Sequence, residues 1–206
     1  MSLKISKKKF IYLISPNKIS SSFYKNLKLV LKTGKVSFFQ LRLKNYSLKR
    51  KIIIGKKIKN ICKKNKVKFI INDDPLLTLK LDADGCHLGQ KDINIKIAKK
   101  ILGKKIIGIT CHNSINLAKK AIKAKADYIA FGAFNQSKTK KTKYIASVKI
   151  LNKVKKFTKT PTVAIGGINA VNYKNLLLNN ANFLAISGYI WNNNKLKPIE
   201  AIKILK

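Results

Sequence analysis

The sequence predicts an α/β protein of the (β/α)8 TIM-barrel class, a single domain over residues 1–206, and three observations carry that expectation. Apolar, β-branched runs of five to eight residues recur eight times. Helix-like amphipathic stretches lie between them. The length, 206 residues with 46% hydrophobic residues, suffices for one good core and is short for two. Near-continuous apolar strands, each followed by a helix, indicate a parallel sheet covered by helices. Eight such units are enough to close a barrel, although 206 residues sits at the short end for one. A doubly wound open sheet is the alternative.

The runs are, in order, Phe10–Ser15, Val36–Arg42, Val67–Asn72, Asp84–Leu88, Lys105–Thr110, Asp127–Gly132, Thr162–Gly167 and Phe183–Ser187. Between them the stretches SFYKNLKLVLK, SLKRKIIIGKKIKNICKK, INIKIAKKIL, INLAKKAIKA and AVNYKNLLLNN show helical spacing, and the chain ends in PIEAIKILK. No linker, low-complexity segment or short repeat interrupts the alternation. The amino-terminal apolar run ends at Pro16 and Asn17, far short of the ~20 residues of a membrane span, and reads as a first strand.

The charge balance raises a different question. With 46 Lys and Arg against seven acidic residues the formal charge is +39, which would ordinarily suggest nucleic acid or an anionic surface as partner. The lysines are spread from Lys4 to Lys206 and no basic-aromatic stripe accompanies them, so we read a solvated lysine coat, with no specific nucleic acid and no membrane as partner. Cys62, Cys86 and Cys111 are odd in number and lack a C-x-x-C spacing, which argues for reduced thiols and a cytoplasmic location. Neighbours on a strand face opposite ways, so Cys86 and His87 could not both face one zinc ion.

Five of the seven carboxylates fall within Ile71–Asp92, INDDPLLTLKLDADGCHLGQKD. In a barrel, function sits where each strand runs into its helix, and the polar residues gather at those places. Gln40, Arg42 and Lys44 close the second run, Asn72 and Asp73 the third. Gly89 to Asp92 follow the fourth and Thr110 to Asn113 the fifth. Ser137, Thr139 and Lys140 come after the sixth, Gly166 and Gly167 after the seventh, Ser187 and Gly188 after the eighth. Asp73 and Asp92, on adjacent strands, suit magnesium, which takes one or two carboxylates together with water and phosphate oxygens. They also suit helix capping, the role that Asp74 before Pro75 fits well. Arg42, Lys44 and Asn72 nearby favour a diphosphate with bound magnesium. The Gly-Gly and Ser-Gly pairs, and Ser137 with Thr139 beside Lys140, suggest a second phosphate cradle.

The ordered set QLRLK (Gln40–Lys44), IINDD (Ile70–Asp74), DADGCHLGQKD (Asp82–Asp92), GITCHN (Gly108–Asn113), ADYIAFG with SKTK (Ala126–Lys140), and VAIGGI with LAISGYI resembles the thiamine-phosphate synthase family from Tyr12 to Ile190. Single pieces occur in many phosphate-binding barrels; their order is specific. The resemblance implies condensation of hydroxymethylpyrimidine diphosphate with thiazole phosphate to give thiamine phosphate and diphosphate. It implies Mg2+ on Asp73 and Asp92, with diphosphate on Arg42, Lys44 and Asn72 and Lys140 beside that leaving group. Gln40 falls near the pyrimidine, and Thr110, where the family usually has serine, within reach of the diphosphate. Ser137, Thr139, Gly167, Ser187 and Gly188 fall to the thiazole phosphate. Arg42, Lys44, Thr110 and Lys140 are the expected catalytic group.

The chain departs from the family at Gly132-Ala133, where Gly-Pro is usual, at Tyr189, where a small residue is usual, and at Ser137 in the Thr-x-Thr-Lys motif. Two rival readings are a thiazole tautomerase of the same superfamily, with His112 as proton carrier, and a basic nucleic-acid-binding module. Asp73, Asp92, Arg42 and Lys44 favour the synthase.

Overall fold

The computed structural model describes residues 9–136 and 143–206. Eight parallel strands form a closed barrel in chain order: β1 (Ile11–Ile14), β2 (Val36–Leu41), β3 (Lys68–Asn72), β4 (Gly85–Leu88), β5 (Ile106–Thr110), β6 (Tyr128–Gly132), β7 (Thr162–Ile165) and β8 (Phe183–Ile186). Pairing of β1 with β8 closes the ring. The open-sheet alternative is thereby excluded. Each strand lies within a sequence run, and the ends differ by one or two residues. β7 stops at Ile165 because Gly166 and Gly167 turn away at φ 103° and 57°, outside the extended region.

Nine helices occur among the described residues: α1 (Phe23–Lys32), α2 (Leu48–Lys64), α3 (Pro75–Lys80), α4 (Ile95–Leu102), α5 (Ile115–Lys123), α6 (Lys149–Lys155), α7 (Tyr173–Leu178), α8 (Gly188–Trp191) and α9 (Pro198–Ile204). Short polar residues start several of them by accepting an otherwise orphan N–H. The Ser47, Asp74, Asn94 and Ser114 side chains accept from Arg50, Leu77, Lys96 and Leu117. Lysines in the last turns of α1 to α6 and α9 meet the negative ends of the helix dipoles.

Strand alternation divides the apolar residues into two cores. One lies between barrel and helices and holds Leu13, Phe39, Phe69, Ile71, Ile129 and Leu184 with the inner helix faces. The other fills the barrel with Tyr12, Ile14, Phe38, Ile70, Tyr128, Ala130, Val163, Phe183 and Ala185. Burying each large side chain there contributes roughly 1.5–3 kcal/mol. Gly108 leaves room for the Tyr128 ring, which a Cβ would meet at 1.9 Å.

At the barrel floor three side chains just before strands accept an N–H from the preceding strand: Asp84 from Phe69, Asp127 from Ile107 and Asn182 from Thr162. Asp84 also pairs with Lys68, and Asp82 with Lys59 and Lys105. Glu200 accepts from the Lys197 N–H at the start of α9. With Asp74 capping α3, these contacts cover five of the seven acidic residues, leaving Asp73 and Asp92 to the loops at the strand ends.

Candidate active site

Those two remain on the rim that follows the strand ends, after β3 and β4. Asp73 leaves β3 in the left-handed region, φ 64°, which Asp tolerates better than most residues, and its N–H donates to the His87 carbonyl at 2.8 Å. Asp92 is held by the loop after β4, its Oδ2 accepting the Gly89 N–H at 2.7 Å. A Cβ at position 89 would stand 3.1 Å from that oxygen, so Gly89 lets the backbone come up to the carboxylate. The two carboxyl groups lie close enough to share a proton.

Burial first, then that contact with Asp92, push the Asp73 carboxyl up to about 6, while Lys44 and Arg42 pull it back. Lys44 Nζ stands 3.9 Å from Asp73 Oδ2, an exposed and therefore weak ion pair. A cleft of about 400 Å3 lies beside Asp73, bordered by Lys44, Asn72 and Asp74 and by apolar side chains such as Leu41, Ile71 and Leu77.

Arg42 is fixed through its backbone: its N–H donates to Ser15 Oγ at 2.9 Å. Ser187 donates its hydroxyl to the Ser15 carbonyl at 3.2 Å, and Trp191 Nε1 donates to the Ile14 carbonyl at 2.7 Å. The end of β1 thus ties the rim of β2 to that of β8. Barrel order sets the Asp73–Asp92 side, at β3 and β4, opposite Gly167 after β7 and Ser187-Gly188 after β8. The Gly167 carbonyl accepts from Asn172 Nδ2 at 2.9 Å, which holds that turn. Ser137, Thr139 and Lys140 lie outside the described residues.

Below the rim runs a buried polar chain. Gln40 Nε2 donates to the Tyr12 hydroxyl at 3.2 Å, and the Tyr12 and Tyr128 hydroxyls lie 2.7 Å apart. His87 places Nδ1 2.9 Å from the Tyr128 hydroxyl and Nε2 2.8 Å from Thr110 Oγ1. Burial pushes the imidazole down to about 4, so the ring is neutral near pH 7. Tyr12, Tyr128 and His87 are functional candidates that the sequence reading missed. Their signal was strand parity, since they occupy the same inward-facing alternation as Gln40, Asn72 and Thr110.

His87 and Cys86 do face opposite ways: the imidazole lies inside the barrel, and Cys86 belongs to the outer core. All three thiols are buried and free, with burial pushing Cys86 and Cys111 up to about 12 and Cys62 higher still, which leaves them unreactive. His112 stacks on Tyr144 with ring centroids 4.3 Å apart. The Gly132–Ala133 peptide, where the chain departs from Gly-Pro, is cis. Among the described residues no helix is long and apolar enough to cross a membrane.

Comparison with known proteins gives this geometry a family. The profile of the family described as thiamine monophosphate synthase matches residues 11–190. A thiamine-phosphate synthase of Pelagibacter ubique is 68% identical over 200 residues, 97% of each chain. One of Erythrobacter litoralis is 37% identical, covering 93% of this chain and 92% of its own. The solved thiamine phosphate pyrophosphorylase of Pyrococcus furiosus superposes with a TM-score of 0.85 at 27% identity, covering 96% of this chain and 94% of that one. This chain belongs to the thiamine monophosphate synthase family.

Proposed function

We propose that the chain joins hydroxymethylpyrimidine diphosphate to thiazole phosphate, forming thiamine phosphate and releasing diphosphate. The observation that carries this reading is the pair Asp73 and Asp92, brought together beside Lys44 and Arg42 on the rim of a barrel of this family.

The pair fits Mg2+. Burial raises Asp73 most, and the neighbouring Asp92 carboxyl adds to it, so that Lys44 and Arg42 do not bring the group back below about 6. A divalent cation would remove the repulsion between the two carboxyl groups, and both residues offer the hard oxygen donors it prefers. Asp73 and Asp92 would hold the ion, whose chemistry is to neutralise charge on a departing diphosphate.

The chain's own residues supply the rest. As the bond between the pyrimidine methylene carbon and the diphosphate oxygen breaks, the electron pair leaves with diphosphate. Positive charge then develops on a benzylic-type carbon that the aminopyrimidine can delocalise. Arg42, Lys44, Asn72, Thr110 and Lys140 are the residues we assign to the leaving anion, where donors and positive charge would stabilise the developing negative charge. Gln40 orients the pyrimidine. Ser137, Thr139, Gly167, Ser187 and Gly188 hold the thiazole phosphate so that the ring nitrogen can form the new C–N bond in line. With the Ser187 hydroxyl directed at the Ser15 carbonyl, the backbone N–H groups that open α8 are the donors expected at that position. No protein nucleophile is needed. The three buried thiols fit a reducing cytoplasm.

The test is to supply purified protein with both substrates and Mg2+ and to look for thiamine phosphate by mass. Tautomerase activity without that product would overturn the reading.

A further inference from the structure

The buried chain Gln40–Tyr12–Tyr128–His87–Thr110 has five members, and its two ends, Gln40 near the end of β2 and Thr110 at the end of β5, belong to the side of the barrel that carries the rim. Its internal members, Tyr12, Tyr128 and His87, are buried, while Thr110 is only partly so. At the other end the Gln40 amide nitrogen is used on Tyr12. Its amide oxygen has no hydrogen-bond partner among the described residues, yet no buried side-chain oxygen or nitrogen there lacks one. That oxygen is therefore not wholly enclosed, although Gln40 as a residue is buried.

Hydrogen-bond donors and acceptors have to alternate along such a chain. Because Gln40 donates to the Tyr12 oxygen, the Tyr12 proton is available for the Tyr128 oxygen, 2.7 Å away. The Tyr128 proton then goes to His87 Nδ1, which acts as acceptor. A neutral imidazole with Nδ1 as acceptor carries its hydrogen on Nε2, and that hydrogen goes to Thr110 Oγ1. The Thr110 hydroxyl hydrogen is left for the mouth. In the reverse order the Thr110 hydrogen would be spent on Nε2, so that lone pairs would face an incoming anion, and Gln40 would have to turn its NH2 outward.

We propose that Tyr12, Tyr128 and His87 are positioning residues that hold His87 in its Nε2–H tautomer and so present two complementary groups to one substrate, the Thr110 hydroxyl as donor to a phosphate oxygen and the Gln40 amide oxygen as acceptor for a ring amino group. The two ends cannot reverse independently. The assignment of the substrate to these ends rests on the function proposed above, whereas the direction of the chain rests on the Gln40 amide nitrogen facing the Tyr12 hydroxyl.

Nitrogen-15 NMR of the whole protein tests the direction. The chain has only two histidines, so a His112→Gln variant assigns the remaining signals to His87. Near pH 7 the expected pattern is an unprotonated Nδ1 and a protonated Nε2. A protonated Nδ1 would overturn the proposal. Tyr128→Phe removes the proton that Nδ1 accepts and should give mixed tautomers, together with an affinity for inorganic diphosphate with Mg2+ weakened by up to about tenfold. Tyr12→Phe, one bond farther away, should keep the tautomer and instead raise KM for the pyrimidine substrate with kcat little changed, because only the Gln40 end is released. A shifted tautomer with unchanged diphosphate affinity in Tyr128→Phe would refute the orienting role. Failure of the wild type to bind diphosphate while His87 shows the expected tautomer would count against the diphosphate assignment and support the direction of the chain.

Discussion

Asp73 and Asp92 come from loops after neighbouring strands, nineteen positions apart, and their carboxyl groups nevertheless meet closely enough to share a proton. Their immediate neighbour Asp74 has a different fate, its Oδ1 accepting the Leu77 N–H at 2.9 Å to start α3. Adjacent carboxylates are thus divided between site and scaffold.

Asn substitution separates the two roles. Asn caps about as well as Asp, so Asp74→Asn should leave stability nearly unchanged, while Asp74→Ala should cost about 1 kcal/mol. Asp73→Asn or Asp92→Asn removes charge from a repelling pair. With Asp73→Asn the metal-free protein should become more stable near pH 7 by roughly 1–2 kcal/mol, after allowance for partial exposure. Turnover with Mg2+ should drop by at least about a hundredfold. Denaturant melts and steady-state rates on the three Asn variants check this. Near-normal turnover in Asp73→Asn and Asp92→Asn would remove the case for a metal role.

The pH dependence of stability contains two opposed contributions. Asp73 is raised from 3.8 to about 6, so its contribution favours the fold at low pH and is lost as pH rises through 6. His87 is lowered from 6.5 to about 4, so its contribution is present above 6.5 and is lost as pH falls through 4. Between 4 and 6 the two slopes oppose each other in the metal-free protein. Asp73→Asn should unmask the histidine slope, with stability climbing from pH 4 to 6.5 by about 3 kcal/mol at most. Urea midpoints across that range provide the measurement, and a pH-independent Asp73→Asn would contradict the enclosure of His87.

How far the sequence reveals this arrangement depends on what each residue is near. All eight strands are legible because β-branched runs fill both faces of a parallel sheet. The helices α3, α6 and α8 are not among the stretches with helical spacing, although α7 and α9, as short as α3 and α6, are; only Asp74 before Pro75 marks the start of α3. Arg42, Asp73 and Asp92 stand out as charged residues at strand ends, where barrels place their chemistry. Tyr12 and Tyr128 do not, because an aromatic residue in an apolar run reads as core, and core is what its ring is. Only the partner 116 positions away turns its hydroxyl into a link. No local pattern encodes that pairing; it appears once the barrel sets β1, β4 and β6 around one interior.

The lysine coat has a measurable consequence. With its carboxylates used locally, the +39 chain has little else to offset repulsion between lysines. Added salt should raise the melting temperature, and duplex or single-stranded nucleic acid should bind without sequence preference and release steeply as salt increases. Titration of labelled strands at low and near-physiological salt tests both points. Tight, sequence-selective binding at the higher salt would restore the nucleic-acid reading.

The two halves of the rim predict opposite kinetic defects. Arg42, held by Ser15 near Asp73, belongs to the diphosphate side, so Arg42→Ala should raise KM for the pyrimidine diphosphate and leave that for the thiazole phosphate little changed. Ser137→Ala with Thr139→Ala removes two hydroxyls assigned to the thiazole phosphate and should do the reverse. Each lost hydrogen bond to a charged phosphate costs roughly 1.5–3 kcal/mol, or about one to two powers of ten in affinity. Varying each substrate in turn at saturating Mg2+ separates the cases. Arg42 follows β2, and the chain reaches Ser137 and Thr139 only after β6, which stands across the ring from β2. If both variants weakened the same substrate, the division of the rim into two phosphate sites would be wrong, even with thiamine phosphate formed.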